Sequence, residues 1–210
     1  MAAGNKARPY HHGDLRDAIL TRAAEIIGER GIEALSLRAI ARDLGVSHGA
    51  PNRHFRSKAE LLAALATEAW QAARTATLAA AEKHSSENPH VRLNALGRGF
   101  LRWAMNNPAL FTALLHPDVN RYADDSLRIA QLEFEQIIHE VVVETQADGR
   151  YSGTDSNVLT LYTNAVPYGI AALLRTPLAL SRSGKINQDE LIAELMELVV
   201  PIRHPGDERQ

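Results

Sequence analysis

Residues 36–60 read SLRAIARDLGVSHGAPNRHFRSKAE, and this stretch predicts two short helices joined by a tight turn. Ser36 is a good N-cap, because its hydroxyl can accept a hydrogen bond from a free N–H of the first turn. Apolar residues then recur with the spacing of one helical face, at Leu37, Ile40, Ala41 and Leu44. Gly45 follows at the position where a helix commonly ends in a left-handed conformation.

The second half of this stretch carries small and polar residues instead of apolar bulk. Ser47 can cap a second helix, and Pro51 keeps that helix short. Its first turn holds His48, Gly49 and Ala50. In a helix-turn-helix, the N-terminal side chains of the second helix reach base edges in the major groove. The pattern favours a DNA-reading element over the alternative, an ordinary helical hairpin with a solvated charged face.

A third element begins after Ser57, because Ser57 and Glu60 have the spacing of a capping box. The free amides of its first turn, together with Lys58, can hold a phosphate. The candidate base-reading residues are Ser47, His48, Gly49 and Ala50. The candidates for phosphate contacts are Arg38, Asn52, His54 and Lys58. Ser36, Leu37 and Arg53 complete the candidate DNA-binding set.

These residues carry a resemblance to a known family. HHGDLR at 11–16, the run at 35–44, GVS at 45–47 and the segment from RHF to Lys58 resemble the N-terminal domain of the tetracycline-repressor (TetR/AcrR) family. The resemblance implies a homodimeric, ligand-responsive regulator in which three N-terminal helices bind DNA and the C-terminal helices hold an effector. Family members usually have a phosphate-contacting tyrosine where this chain has Asn52, whose amide can still donate a hydrogen bond over a shorter reach.

The formal net charge of −2 is distributed unevenly along the 210 residues. Residues 1–60 hold 10 Lys and Arg against 7 Asp and Glu, whereas residues 61–210 carry a net −5. The basic excess lies with the predicted helix-turn-helix but is too small to indicate nucleic acid by itself. The absence of cysteine excludes disulfides and thiolate metal sites. No apolar run reaches ~18 residues, so we expect a cytoplasmic protein with no membrane span. We also expect no cofactor.

Helical periodicity continues along the rest of the chain, without an alternating strand pattern. We expect a first helix from Asp14 to Arg30 and a long alanine-rich connector from Lys58 to near His84. Further helices are expected near 90–106, 109–115, 122–147, 156–175 and 187–200. The predicted fold is all-α, with a helix-turn-helix DNA-binding domain at 8–68 and a C-terminal ligand-binding and dimerisation domain at 69–203.

In the C-terminal half, FLRWA at 100–104 and NPALF at 107–111 resemble the effector domain of the subfamily named for its Trp-His-Gly (WHG) motif. This chain has Tyr168-Gly169 where that motif has His-Gly. Ligands of helical bundles occupy mostly apolar cavities between helices. The candidate ligand-binding residues are therefore Phe100, Trp103, Phe111, Leu115, Phe134, Ile138, Tyr162 and Tyr168. For each of them, plain core packing is the alternative.

The last two helices offer more apolar surface than one protomer covers, which predicts a homodimer through these helices. The residues concerned are Leu173, Leu178, Leu180, Leu191, Leu195, Met196, Leu198 and Val199. We expect a sequence-specific regulator that represses from a double-stranded DNA operator until a small-molecule effector releases it. The alternative is a helical dimeric interaction module that has lost DNA binding. His139-Glu140 lacks the second histidine of the H-E-x-x-H zinc motif, so we expect neither a metal site nor an enzyme.

Overall fold

The computed structural model describes residues 12–176 and 187–201, with side chains from Leu15 onward. Residues 1–11 of the N-terminal prediction lie outside this part of the chain. So do Leu178 and Leu180 of the predicted dimer face.

All regular secondary structure in these two ranges is helical, as predicted. The α-helices are α1 (His12–Arg30), α2 (Leu37–Asp43), α3 (Lys58–Glu82), α4 (Pro89–Asn106), α5 (Pro108–Leu114), α6 (Pro117–Arg121), α7 (Asp125–Ala147), α8 (Ser156–Leu174) and α9 (Gln188–Val199). Two 3-10 helices, Ile32–Ala34 and Pro51–Arg53, lie in the connections after α1 and α2. None of the described helices combines the length and apolar character needed to cross a membrane.

Helix α2 begins and ends as predicted. The Ser36 hydroxyl accepts a hydrogen bond from the Ala39 N–H at 3.5 Å. At the other end, Gly45 has a φ of 67°, a left-handed conformation that costs glycine no steric penalty. The Val46 N–H then donates to the Ala41 carbonyl at 3.0 Å, which fixes the turn after the helix.

The predicted second helix of the helix-turn-helix is not an α-helix, so this prediction is wrong. After Ser47, the chain forms a turn and then the 3-10 helix Pro51–Arg53. The Ala50 N–H donates to the Ser47 carbonyl at 2.9 Å, and the Arg53 N–H donates to the Ala50 carbonyl at 3.2 Å. Pro51 has no N–H with which to make the α-helical bond back to Ser47, and the tighter geometry takes its place.

The N-terminal elements enclose one apolar core. Side chains that are at most 2% exposed come from α1, α2, the start of α3 and the segment before it, and they include Ile19, Ile26, Ile40, Phe55 and Leu61. Full burial of a side chain of this size stabilises the fold by ~1.5–3 kcal/mol. Pro51 is buried as well. The 3-10 helix is thus anchored to the core by its proline.

Helix α3 runs from the helix-turn-helix into the C-terminal half and forms the predicted connector. Its inner face is small where α4 crosses it, since Ala73 and Thr77 are at most 1% exposed. A Cβ atom placed on Gly99 of α4 would lie 2.7 Å from the Ala80 Cβ and 3.0 Å from the Thr77 Cα. The backbones of α3 and α4 can approach this closely because Gly99 has no side chain.

The short helix α6 was missed by the sequence prediction, which ended a helix before Pro117. Proline suits the first position of a helix, because the N–H it lacks would have no intrahelical partner there. His116 caps this helix, since its Nδ1 accepts a hydrogen bond from the Asp118 N–H at 3.2 Å. Helix α6 packs against α3 and leads the chain into α7.

Candidate DNA-binding surface and effector cavity

Seven of the eleven predicted DNA-binding residues line one open concavity on the helix-turn-helix. They come from the start of α2, from the turn and 3-10 helix, and from the first residue of α3. These seven are Ser36, Leu37, Arg38, His48, Gly49, Asn52 and Lys58. The other four, Ser47, Ala50, Arg53 and His54, are not part of its lining. The structure therefore brings most of the predicted set together without the predicted α-helix.

The candidate base-reading residues mostly face water. Ser47, His48 and Gly49 are exposed, whereas Ala50 is half-buried. A Cβ atom on Gly49 would meet nothing within 4 Å, so the space around this residue is open. The neighbouring Pro51 is buried and anchors this segment to the core, while residues 47–49 face water. Entry into a DNA groove requires such an arrangement.

Cationic side chains around the concavity lack strong carboxylate partners. Neither Arg38 nor Arg53 forms an ion pair or a side-chain hydrogen bond within residues 12–176 and 187–201. The Lys58 Nζ lies 3.9 Å from the carboxylate of the exposed Glu33, and surface contacts of this kind contribute at most ~1 kcal/mol. These cations are available to phosphate oxygens, which position a protein on DNA but carry no sequence information.

The N-terminus of α3 has one half of the predicted capping box. The Ser57 hydroxyl accepts a hydrogen bond from the Glu60 N–H at 3.1 Å, as expected. The Glu60 carboxylate accepts from the Arg56 N–H at 2.8 Å and from the Arg56 Nε at 3.2 Å, one residue earlier than the motif requires. Because Glu60 holds Arg56, Lys58 is the cation left beside the free amides of this helix.

A charged cluster that the sequence prediction missed fixes α2 against α1. The Nε and Nη2 atoms of Arg22 each donate to Asp43 Oδ2 at 3.0 Å. The Nη1 atom of Arg22 donates to Glu25 at 2.7 Å, and Arg30 lies 3.7 Å from Asp43. The hydrogen bonds from Arg22 hold the pKa of the Asp43 carboxyl below its usual value. This cluster positions the helix that leads into the candidate reading segment.

Replacing Asp43 with asparagine is expected to remove a pH-dependent part of the stability. Because the folded carboxyl has a lowered pKa, its contribution is complete above the unfolded pKa of about 3.9 and is lost as the pH falls through the folded value. The variant should therefore unfold at lower urea concentration than the wild type at neutral pH. The gap between their unfolding midpoints should narrow as the pH falls below about 4. A gap that stays constant would contradict this role.

Six aromatic rings from five helices form one cluster in the C-terminal half, which we call the aromatic cluster. Its members are Trp70, Phe100, Trp103, Phe111, Phe134 and Tyr168. The Phe100 ring centroid lies 5.7 Å from that of Phe134, and the Trp70 centroid lies 5.1 Å from that of Phe134. Each such pair contributes ~0.5–1.5 kcal/mol beyond its buried area. The cluster joins the connector α3 to α4, α5, α7 and α8.

A small cavity of about 20 Å³ adjoins the aromatic cluster, and this volume holds about one water molecule. Its lining residues are Leu96, Gly97, Phe100, Phe134, Ile138, Thr163, Asn164, Pro167 and Tyr168. Four of the eight predicted ligand-binding residues are therefore at the cavity. Trp103 and Phe111 pack within the cluster, while Leu115 and Tyr162 lie apart, 45% and 47% exposed. Trp70 was not predicted, because it belongs to the connector helix.

An exposed apolar stripe runs along α8. Its members lie on one face of the helix, and they are Val158, Leu161, Tyr162, Ala165, Gly169 and Leu173. On α9, Leu198 is 79% exposed, whereas Met196 and Val199 are buried within the protomer, so their assignment to the dimer face is wrong. The Asn94 amide of α4 donates to the Met196 carbonyl at 3.0 Å and holds that side of α9 inward.

The sequence matches two family models, one for each half of this architecture. Residues 19–65 match the model described as bacterial regulatory proteins, tetR family. Residues 93–199, about half of the chain, match the model described as tetracyclin repressor-like, C-terminal domain. The first covers the helix-turn-helix, and the second covers the helices that carry most of the aromatic cluster.

Individual relatives agree with these matches. The HTH-type transcriptional regulator Rv1816 of Mycobacterium tuberculosis H37Rv is 30% identical over 113 residues, or 52% of this chain and 48% of that protein. The chain thus spans about half the length of the curated relatives it matches. A protein of unknown function from Rhodococcus sp. RHA1 superposes with a TM-score of 0.75 at 29% identity, over 92% of this chain and 97% of that one. AibR, solved with isovaleryl coenzyme A and operator DNA, has a TM-score of 0.68 at 18% identity. The superposition covers 89% of this chain and 98% of the AibR chain.

Proposed function

The chain belongs to the tetR family of bacterial regulatory proteins, and we propose that it is a homodimeric, sequence-specific DNA-binding regulator of transcription. The observation that carries the proposal is the exposure of residues 47–49 beside Arg38 and Arg53, which are unpaired in the described part of the chain. Their donors are those that base edges and phosphates accept.

The apolar stripe of α8 and the exposed Leu198 of α9 support a dimer through these two helices. Leu161, Leu173 and Leu198 are 69%, 64% and 79% exposed, and monomeric proteins seldom leave a contiguous apolar patch of this kind uncovered. A two-fold interface there would present one reading segment to each of two half-sites, ~34–36 Å apart along the DNA. We therefore propose a palindromic operator.

We propose further that an effector bound at the aromatic cluster releases the protein from its operator, as in a repressor. AibR has the same fold and was solved with both isovaleryl coenzyme A and operator DNA. In this chain, Trp70 connects α3 to the rings of α7 and α8, so a ligand that moves these rings also moves the helix that begins at Lys58. The effector can act only if it binds the two conformations with different affinity.

Selection of bound duplexes from a random pool tests the proposed function. We expect a palindromic site whose affinity falls on the order of tenfold to a thousandfold for a fourfold rise in salt concentration. Repeating the selection with a mixture of metabolites should reduce the recovery of that site. The alternative, an interaction module without DNA binding, predicts that no duplex is retained even at low salt.

The variants His48→Ala and Lys58→Ala are expected to weaken DNA binding in different ways. Loss of His48 should change the preferred base at one position of each half-site, at a cost of ~1–3 kcal/mol there. Loss of Lys58 should weaken all sequences alike and lower the salt slope by about 1. Duplex selections and salt titrations on both variants separate the two roles. Glu33→Gln is the matched control, since it frees Lys58 and should not weaken binding.

A uniform loss of affinity in the His48 variant, with no change of preferred sequence, would contradict base reading by that residue.

A further inference from the structure

The ring of Tyr168 stacks on two other aromatic rings, and we call the place that it occupies the slot. Its plane is inclined by 19° to that of Phe100, with 5.2 Å between centroids, and by 29° to that of Trp70, with 6.0 Å between centroids. Tyr168 comes from α8 and is half-buried, whereas its neighbours come from α4 and α3. The Tyr168 side chain thus occupies a place at the proposed effector site that suits a flat aromatic ring.

Polar groups of Tyr168, Asn164 and Trp70 form no hydrogen bond within the described part of the chain. In the described part of the chain, neither the Tyr168 hydroxyl nor the Asn164 amide takes part in a hydrogen bond, and the two residues lie one helical turn apart on α8. The Trp70 Nε1–H is buried and has no acceptor there. A buried donor without an acceptor is destabilising, so a ligand oxygen within reach of this N–H would be favoured.

The surroundings of the slot disfavour a charged ligand. Among the described residues that line the cavity, none is charged. Burial raises the pKa of the Tyr168 hydroxyl, because the environment opposes a negative charge on the phenol. Arg175 lies over Phe111, outside the lining, and donates to the Pro108 carbonyl at 2.6 Å. An anionic ligand would lose its hydration here without gaining a cation from the lining.

We propose that the effector is a neutral aromatic molecule with one hydroxyl or carbonyl oxygen, and that it binds by replacing the Tyr168 ring that stacks on Trp70 and Phe100. The inference rests on the proposed function, since it names the ligand class of the same site. The cavity of about 20 Å³ does not admit a ring beside Tyr168, so the tyrosine must move. Trp70 lies about 18 Å from Lys58 along α3. A displacement of Trp70 would therefore be transmitted through α3 toward the DNA-binding surface.

Tryptophan fluorescence tests the ligand class directly. The chain has two tryptophans, so in a Trp103→Phe variant Trp70 is the only one. Phenol, cyclohexanol and benzoate are each titrated while Trp70 is excited at the red edge of the indole absorption. We expect phenol to change the Trp70 emission and to bind at least tenfold more tightly than cyclohexanol or benzoate. Calorimetric titration of the wild-type protein with the same three compounds checks that the Trp103 substitution has not altered the site.

The displacement of Tyr168 has its own test. Tyr168→Ala removes the competing ring, so we expect phenol to bind this variant at least tenfold more tightly than the wild type. Tyr168→Leu serves if the alanine variant does not fold. Tyr122→Ala is the matched control, because Tyr122 is 50% exposed and lies outside the aromatic cluster, and its loss should leave phenol affinity unchanged. Weaker phenol binding by the Tyr168 variants, or equal binding of phenol and benzoate by the wild type, would overturn the proposal.

Binding to operator DNA, measured on the same samples, separates this inference from the proposed function. Retention of a selected duplex with no effect of phenol on Trp70 would overturn the ligand class and leave the DNA-binding function standing. A phenol response in a protein that retains no duplex would support the ligand class and reject the DNA-binding function. If both hold, phenol should lower the affinity for the selected duplex in the wild type and not change its preferred sequence.

Discussion

Gly99→Ala is expected to lower the free energy of unfolding by about 2 kcal/mol, despite the better helix propensity of alanine. The added Cβ would lie 3.0 Å from the Thr77 Cα and 3.2 Å from the Ala76 carbonyl oxygen. Both are backbone atoms of α3, so no side-chain rotation can relieve the contact. The helices must separate, and the cost of overpacking exceeds the gain of up to ~1 kcal/mol from propensity. In a chain of this length, the melting temperature should fall by about 4–8 °C.

A neighbouring glycine on the same helix provides the control. In Gly97→Ala, the added Cβ meets the methyl group and sulfur of Met196, which are the far end of a flexible side chain. We expect this variant to lose less than half as much stability as Gly99→Ala in urea and thermal unfolding. Equal losses in the two variants would show that the α3–α4 crossing does not depend on Gly99.

The local signals of the sequence predicted the first part of the helix-turn-helix well. Ser36 and Gly45 act through their own backbone neighbours, so their roles as cap and turn could be predicted without knowledge of the fold. The same is true of Ser57, whose hydroxyl caps α3. The departure from an α-helix after Ser47 has a local cause as well, because Pro51 has no N–H for the hydrogen bond back to Ser47. Seven of the eleven candidate DNA-binding residues nevertheless line one concavity, so an α-helix after Ser47 is not needed to bring them together.

Contacts between distant parts of the chain could not be predicted in this way. Arg22 and Asp43 are 21 residues apart, and nothing in the periodicity of either helix indicates the pair. The sequence predicted only a connector role for the helix that carries Trp70. The place of Trp70 in the aromatic cluster depends on how α3 packs against α7 and on the contact of its ring with Tyr168 of α8. Spacing separates an inner from an outer face of a helix, but it does not say which neighbouring helix each ring contacts.

The dimer face shows a further limit of sequence patterns. Met196, Leu198 and Val199 are equally apolar and lie within four positions of one another. Packing of α9 on α4 buries Met196 and Val199 in the protomer and leaves Leu198 outside, 79% exposed. A sequence pattern cannot separate burial within one chain from burial between two, because the same hydrophobic effect drives both.

Leu173→Asp is expected to convert the proposed dimer into monomers and to weaken binding to a full operator about a hundredfold or more. Leu173 is 64% exposed on the apolar stripe of α8, so the substitution should not disturb the protomer itself. In a dimer, the aspartate would be buried against the partner's apolar stripe without a cation, and such burial costs several kcal/mol. Sedimentation and light scattering measure the mass, and circular dichroism confirms that the helices remain.

The loss of DNA affinity in this variant follows from the linkage of two half-sites. In a dimer, once one reading segment is bound, the second binds at a high effective concentration, which raises the overall affinity by ~10²–10⁴. A monomeric variant should therefore bind an isolated half-site with the wild-type affinity. It should lose only the increase in affinity that comes from binding two half-sites at once. Ile129→Asp is the control, since Ile129 is 55% exposed on α7 and is not a member of the stripe of α8, so its substitution should leave the dimer intact. If the Ile129 variant dissociates and the Leu173 variant does not, α7 and not α8 carries the interface, because only a residue buried between protomers makes an added charge costly.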